Sequence, residues 1–336
     1  MIYLFTTILL FTGMILYFKI ADKYNIIDKP NGRSSHDYIT IRGGGIVFWL
    51  AAMLFCVVGA RHALPLPVSP LPFAIGITLI SAVSFWDDIK SLPNKIRIVI
   101  HFISITCVFF GLGIFGTLNG WLIIFAYIFF VGILNAYNFM DGINGITGLY
   151  SLVILIALQI VNYQFINFTT PEFINDAIIA CLVFLFFNFR KRAKCFAGDV
   201  GSMAISFWIV TLLLQLMLKT NSIVWILFLA VYGADAILTI VHRIYLRQNI
   251  FKAHRLHFYQ ILCNEKKLSH CLISAIYATM QLIICLSIIY VHFHFQNIET
   301  SFAIIILILL TSIYLLKFRF LKQEIKNTAT TSQSSK

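Results

Sequence analysis

Acids, amides, cations and glycines gather in short blocks along the 336 residues, and several blocks hold residue types that suit phosphate chemistry. Phe85-Trp86-Asp87-Asp88-Ile89-Lys90 places two adjacent carboxylates at the C-terminal end of an apolar run. The negative end of a helix dipole disfavours acids there, so a cation has to compensate. A metal-bound substrate can supply that charge, as can Lys90, Lys95 or Arg97. In Asn135-Ala136-Tyr137-Asn138-Phe139-Met140-Asp141-Gly142-Ile143-Asn144-Gly145, the glycines let backbone approach a ligand or pack one helix on another. Packing explains the glycines but leaves Asn135, Asn138 and Asp141 unexplained at a membrane surface. Asp199, in Gly198-Asp199-Val200-Gly201-Ser202, opens an apolar run after the basic stretch Arg190, Lys191, Arg192 and Lys194. It reads either as a helix N-cap or as a Mg²⁺ ligand beside helix amides that can hold phosphate.

Asp235, Thr239, His242 and Arg243 recur at offsets of four, seven and eight, which puts them on one helical face inside an apolar segment. An ionisable residue there is costly, which marks it as functional. The loop that follows carries Lys252, His254-Arg255-Leu256-His257 and His270. No cysteine or acid stands at zinc-site spacing from the HxxH pair and no HExxH is present, so the imidazoles and guanidinium read as phosphate donors. Near the start, Asp28-Lys29-Pro30-Asn31-Gly32-Arg33-Ser34-Ser35-His36 and then Arg42-Gly43-Gly44-Gly45 offer arginines, hydroxyls and a glycine-opened helix start.

These blocks need a bilayer to hold them. The chain is 60% hydrophobic and 11% charged, too apolar for a water-soluble domain of this size. A hydrocarbon core of about 30 Å takes roughly 20 apolar residues per helix, and the runs divide into eleven predicted spans: 1–18, 44–60, 71–86, 97–115, 120–136, 145–163, 174–189, 202–218, 222–241, 271–292 and 301–316. With the N-terminus outside and the C-terminus cytoplasmic, 23 of the 25 Lys and Arg residues lie inside, Arg61 and Lys219 being the exceptions. That parity also sends every chemical block to the cytoplasmic face. It accounts for the formal charge of +12 as a basic membrane rim, with no nucleic acid required. The expected fold is all-α, a single polytopic membrane bundle over residues 1–320 with a polar, disordered tail at 321–336. The first run lacks a preceding basic residue and reads as a retained span, and the seven cysteines show no CxxC pair and predict no disulfide.

Taken in order from about Asp28 to Gln260, the blocks resemble the polyprenyl-phosphate N-acetylhexosamine-1-phosphate transferases. That family includes the phospho-muramoyl-pentapeptide translocase and the enzymes that initiate O-antigen and teichoic-acid chains. The Asp-Asp pair, NxxNxxDGxxG, GDxGS and the histidine-rich loop carry the likeness jointly, and PNxRSSH, RGGG and HRxH lean toward the O-antigen or capsule branch. The resemblance implies that a UDP-N-acetyl sugar and undecaprenyl phosphate give undecaprenyl-diphospho-sugar and UMP, with Mg²⁺ (or Mn²⁺ in its place). The site would face the cytoplasm from a bacterial inner membrane, and a homodimer is compatible with it. Asp87, Asp88 and Asp141 are the implied catalytic acids, with Asp199 and Asp88 on the metal. Asn138, Asn144, Arg33, Arg42, Lys95, Asp235, Arg243, His254, Arg255 and His257 are the expected substrate contacts. Two positions depart from the family's pattern: Asn144 replaces an acid, and Ile41 replaces the proline before the arginine of RGGG. A transporter or flippase is the rival reading, with Asp235 lining a path, but transporters bind near the bilayer midplane, whereas these residues crowd one face. A non-catalytic scaffold would leave the clustered motifs without a purpose.

Overall fold

The computed structural model describes residues 2–28, 38–58, 70–249 and 254–334, with side chains as far as residue 320. Thirteen α-helices carry it: α1 Ile2–Lys23, α2 Ile46–Val57, α3 Pro70–Ile89, α4 Asn94–Gly111, α5 Ile114–Thr117, α6 Gly120–Met140, α7 Ile146–Gln164, α8 Pro171–Asn188, α9 Gly198–Thr220, α10 Ala230–Tyr245, α11 Phe258–Asn264, α12 His270–His294 and α13 Glu299–Ser334. Among the described residues ten helical segments are long and apolar enough to cross a membrane, and α2 is a shorter apolar helix. Each predicted span therefore has a helix. At 1.5 Å per residue, the 12 residues of α2 reach only about 18 Å. The last helix runs on to Ser334, into the tail expected to be disordered, because Leu321 to Lys326 are good helix formers and neither Gly nor Pro follows them.

A helix apolar on every side belongs in a bundle centre. That describes α9, whose side chains from Val200 to Leu213 are buried and which packs against α2, α3, α6 and α7. The outer helices show the opposite pattern. Ile98, Phe102 and Phe110 on α4 and Trp121, Phe125 and Ile128 on α6 are exposed, as lipid-facing side chains should be.

The segment read as one span from 222 to 241 changes geometry partway. Residues Val224–Leu229 form a 3-10 turn that passes into α10. Backbone groups freed at such a junction find no water in a bilayer, so side chains must take them. Gln281 on α12 accepts from the Val231 amide at 3.0 Å and donates to the Leu227 carbonyl at 2.9 Å. Tyr150 on α7 donates to the same Gln281 oxygen at 2.6 Å and accepts from the Tyr232 amide at 3.2 Å. Its ring stacks on Tyr232 with centroids 3.5 Å apart. Replacing Gln281 with Leu strands at least two backbone groups, each unsatisfied group costing about 1–3 kcal/mol. The variant is expected to melt well below wild type in detergent, with Gln281→Glu intermediate, as thermal unfolding of the purified protein would show.

Candidate active site

Glycine packing brings the first polar block to the fourth. The β1 strand Ile27–Asp28 pairs antiparallel with β2, Thr40–Ile41, and Ile41 bridges in parallel to Cys195. The pairing extends through Phe196 N–H to the Ile41 carbonyl (2.8 Å), Gly44 N–H to that of Phe196 (2.8 Å) and Gly45 N–H to that of Ala197 (3.0 Å). A Cβ on Gly45 would land on the Gly201 Cα, and one on Gly44 would land on the Cys195 Sγ. Gly198, at a φ of +72°, has Asp88 where its side chain would be. The RGGG and GDxGS blocks are thus two halves of one backbone contact. Arg42 emerges from it, its carbonyl held by the Tyr17 hydroxyl at 2.5 Å.

Three carboxylates and two guanidiniums interleave at the mouth of α3, α4 and α9. Asp88, its side chain fully buried, accepts from the amides of Asp199 (2.9 Å) and Val200 (3.0 Å) and from Arg42 Nε at 2.7 Å. A carboxylate from the negative end of α3 is in this way plugged into the positive end of α9. Asp87 accepts from the Leu92 amide at 2.6 Å and pairs with Arg97 Nη1 at 2.8 Å. Asp199 is more open, its side chain 18% exposed. Arg42 Nη2 approaches it at 3.8 Å and Arg97 Nη2 at 3.4 Å, and Asn138 donates to it. Asn138 also reaches Ser202 Oγ at 3.2 Å. Asp141, just past α6, accepts from the Thr147 hydroxyl at 2.6 Å. Burial pushes its carboxyl up to about 7; the Thr147 hydrogen bond and Arg42 oppose the rise and the charge of Asp199 adds to it. Burial works against the charge of Arg42, yet Asp88 and Asp199 hold its guanidinium above the ordinary range.

A second polar centre lies under the histidine loop. Asp235, buried on α10, accepts from the amides of Phe258 (2.9 Å) and Tyr259 (3.3 Å), from the Tyr277 hydroxyl (2.7 Å) and from Thr239 (3.3 Å). His257 Nδ1 lies 3.4 Å from it. Asp235 thereby docks the N-terminus of α11, and α11 returns Tyr259 to the Phe139 carbonyl at 3.0 Å, beside Asp141. Arg243 is buried two turns along from Asp235 and donates to the Asn249 carbonyl at 2.5 Å. His254 and Arg255 are half-buried on the loop, and burial, then the charges of His257, Arg243 and Lys317, bring the His254 imidazole down to about 3.

Some predicted contacts stand elsewhere. Asn144 is 1% exposed and works as a staple, its amide donating to Tyr38 (3.1 Å) and to the carbonyls of Arg190 (2.8 Å) and Lys191 (3.3 Å). Lys95 is exposed on the first turn of α4, while Arg97, half a turn on, is the cation that reaches the acids. Arg33 and Lys252 lie outside the described residues. Ser202, Thr147, Tyr259 and Tyr277 join the site without having been singled out as contacts, and Arg97, one of three cations expected to compensate the acid pair, is the one that does. For Arg97 the signal was present, since the acid pair demands a nearby cation.

Asp88→Asn removes a charged acceptor from two amides and Arg42, a loss of about 1.5–3 kcal/mol per charged hydrogen bond. It is expected to lower the melting temperature, while Asp199→Asn leaves that temperature near wild type. The raised Asp141 carboxyl adds stability that is complete below its unfolded value near 4 and is lost as pH rises through about 7. Melting curves of metal-free Asp141→Asn are therefore expected to fall less than those of wild type across that interval.

Residues 70–217 match the family described as glycosyl transferase family 4. The chain is 26% identical over 274 residues to a probable undecaprenyl-phosphate N-acetylglucosaminyl 1-phosphate transferase of Bacillus subtilis, covering 76% of this chain and 74% of that one. It is 31% identical over 226 residues to the undecaprenyl-phosphate alpha-N-acetylglucosaminyl 1-phosphate transferase of Escherichia coli, over 62% and 60% of the two chains. A phospho-N-acetylmuramoyl-pentapeptide-transferase of Lactiplantibacillus plantarum is 27% identical over 222 residues, 58% of this chain and 68% of its own. The matched stretch holds the Asp87, Asp88, Asn138, Asp141 and Asp199 cluster that gathers at one mouth of the bundle, and over that stretch the chain is similar to glycosyl transferase family 4.

Proposed function

We propose that this chain transfers an N-acetylated sugar-1-phosphate from a UDP-sugar to undecaprenyl or a similar polyprenyl phosphate, releasing UMP and starting a lipid-linked envelope glycan such as an O-antigen or capsule chain. The observation that carries the reading is the interleaved cluster: Arg42 between Asp88 and Asp199, and Arg97 between Asp87 and Asp199. A lipid phosphate oxygen attacks the phosphorus that bears the sugar, and the bond to the uridine phosphate breaks. One diphosphate bond is lost and one gained, so no ATP or redox group is needed. Two phosphate substrates repel each other, and the electrostatic part of phosphoryl transfer is to offset that repulsion.

Among the described residues no three acids, histidines or cysteines stand ready to hold a metal by themselves. Mg²⁺ does not ask for that, being bound by one or two carboxylates with substrate phosphates and water. Asp199, partly open, fits as the holder, with Asp87 beside it. Asp88 fits better as the residue that fixes Asp199, since it grips the Asp199 amide itself. A bound Mg²⁺ would neutralise charge on the diphosphate. Arg42 and Arg97 are placed to do the same from the protein side. A phosphate monoester has a second ionisation near 6, so a lipid phosphate is largely ionised at neutral pH. No strong base is then required, which suits an Asp87 already paired with Arg97.

The cytoplasmic side of an inner membrane is supported by the basic loops that surround this mouth. The transporter alternative loses support because Asp235, far from lining a path, is sealed by four hydrogen-bond donors and His257. Purified protein with undecaprenyl phosphate and UDP-N-acetyl sugars is expected to release UMP only with a divalent ion. Asp199→Asn and Asp87→Asn are each expected to reduce the rate by at least about a hundredfold, the loss of a few kcal/mol of transition-state stabilisation. Normal turnover in both variants would refute the assignment.

A further inference from the structure

Lys317 sits on the last helix, far in sequence from every block considered so far. Its side chain is fully buried. The ammonium donates to the Tyr314 hydroxyl at 2.6 Å and lies 4.6 Å from the centre of that ring. It carries three N–H donors, and among the described residues no second acceptor takes one. A buried cation at the end of a membrane helix, held by a neutral group, is costly enough to require a purpose.

The acid whose charge reaches it is Asp235. The route is indirect: Tyr314 is 3.0 Å from the Thr239 hydroxyl, and Thr239 donates to Asp235. Asp235 is meanwhile occupied by two backbone amides, the Tyr277 hydroxyl and His257. Phe258, the neighbour of His257, packs its ring 6.3 Å from that of Tyr314; His257 is 2% exposed, and among the described residues its Nε2 has no partner. Its ring lies 4.8 Å from that of His254. Burial depresses the His254 imidazole, and the charges of His257, Arg243 and Lys317 add to that effect.

We infer that Lys317 and the Nε2 edge of His257 form an anion site for a phosphate oxygen, with the last helix supplying the cation. The ligand class rests on the transferase reading. The oxygen belongs either to the diphosphate of the nucleotide sugar or to the monophosphate of the lipid, and the two are separable by experiment. Tyr314 and Thr239 then hold the amine in place between substrate-bound and free states. Asp235 balances its charge at a distance, without competing for its remaining protons.

The test is binding, read without turnover. Purified full-length protein in detergent would be titrated with UDP-N-acetylglucosamine and, separately, with polyprenyl monophosphate, each with Mg²⁺, following the melting temperature. Lys317→Met, which keeps length and apolar bulk, is expected to lose at least tenfold in affinity for one of the two, and that one names the source of the oxygen. Lys317→Arg is expected to stay within about threefold, as a phosphate contact tolerates. Unchanged binding of both ligands by Lys317→Met would overturn the inference. So would full recovery in Asp235→Asn/Lys317→Met, which would make the lysine a structural counter-charge. Should the Met variant fail to fold, Lys317→Gln, which keeps a polar donor without the charge, decides: at least a tenfold loss of affinity for one ligand is expected, and unchanged binding of both overturns the site. A wild type that binds but releases no UMP would refute the transferase reading and leave this one standing.

Discussion

A buried carboxylate seated in the N-terminus of another helix is the interaction on which this architecture depends, and the bundle uses it twice. Asp88 takes the first amides of α9, and Asp235 takes those of α11. The first turn of any helix leaves amides without intrahelical partners, and close to a bilayer water cannot be relied on to serve them. An acid solves this and is itself solved by it, because the positive end of a helix favours a carboxylate. At Asp88 the two helix ends meet head to tail, so the junction between α3 and α9 is fixed in both distance and direction. Everything placed by that junction inherits its precision. Asp199 is one residue into α9, and Arg42 lies across the same carboxylate.

The glycines set how near the parts can come. With Gly45 lying on Gly201 and Gly44 on Cys195, two backbones touch where side chains would hold them several ångströms apart. Small residues at helix contacts are the ordinary device of membrane packing, and here the device has a chemical result. It carries Arg42, from a loop outside the bundle's centre, to within reach of two acids that belong to α3 and α9. A phosphate-binding reading of RGGG and a packing reading of it are therefore not rivals. The glycines pack, and the arginine they deliver provides the charge.

What could be read from the residue order follows the range of each interaction. Apolar runs are local, so a helix was legible at each of the eleven predicted spans, although α2 is shorter than the span expected at 44–60. The Asp87-Asp88 pair was legible as a charge problem, because two acids at a helix end need compensation whatever the fold. Its solution was not, since the α9 amides lie 111 and 112 residues away from Asp88. The same limit hid Gln281, a lone amide in an apolar run whose backbone partners at Leu227 and Val231 are about 50 residues distant. Asn144 shows the complementary case. It sits within a block of ligand-like spacing, yet its amide is spent on carbonyls of the 190–191 turn, and only the folded chain reveals that. The helical spacing of Asp235, Thr239 and Arg243 was informative, for all three are buried. His242, at the same apparent face, instead packs on Phe318.

Charge counting at the mouth gives the arrangement its chemical sense. Asp87, Asp88 and Asp199 bring three formal negative charges, and Arg42 and Arg97 bring two positive ones. Asp141 adds a fraction near neutral pH, because its carboxyl titrates at about 7. With all four acids ionised the centre is two charges negative before any substrate arrives, the wrong sign for an empty phosphate site, and the burial that lifts the Asp88 and Asp141 carboxyls to about 7 lessens that excess. Adding two phosphate-bearing substrates would worsen it, and the guanidiniums are already engaged. The Mg²⁺ proposed above would offset that excess. Asp199, approached only loosely by the two arginines at 3.8 and 3.4 Å, is the carboxylate that would hold such an ion, and the guanidiniums would then be able to turn toward phosphate oxygens. Asp88 and Asp87, held at 2.7 and 2.8 Å by the same side chains, keep the guanidiniums anchored while that exchange occurs. Tight contacts on one edge of each arginine and loose ones on the other are what a site needs if it is to be rigid in position and still able to trade partners.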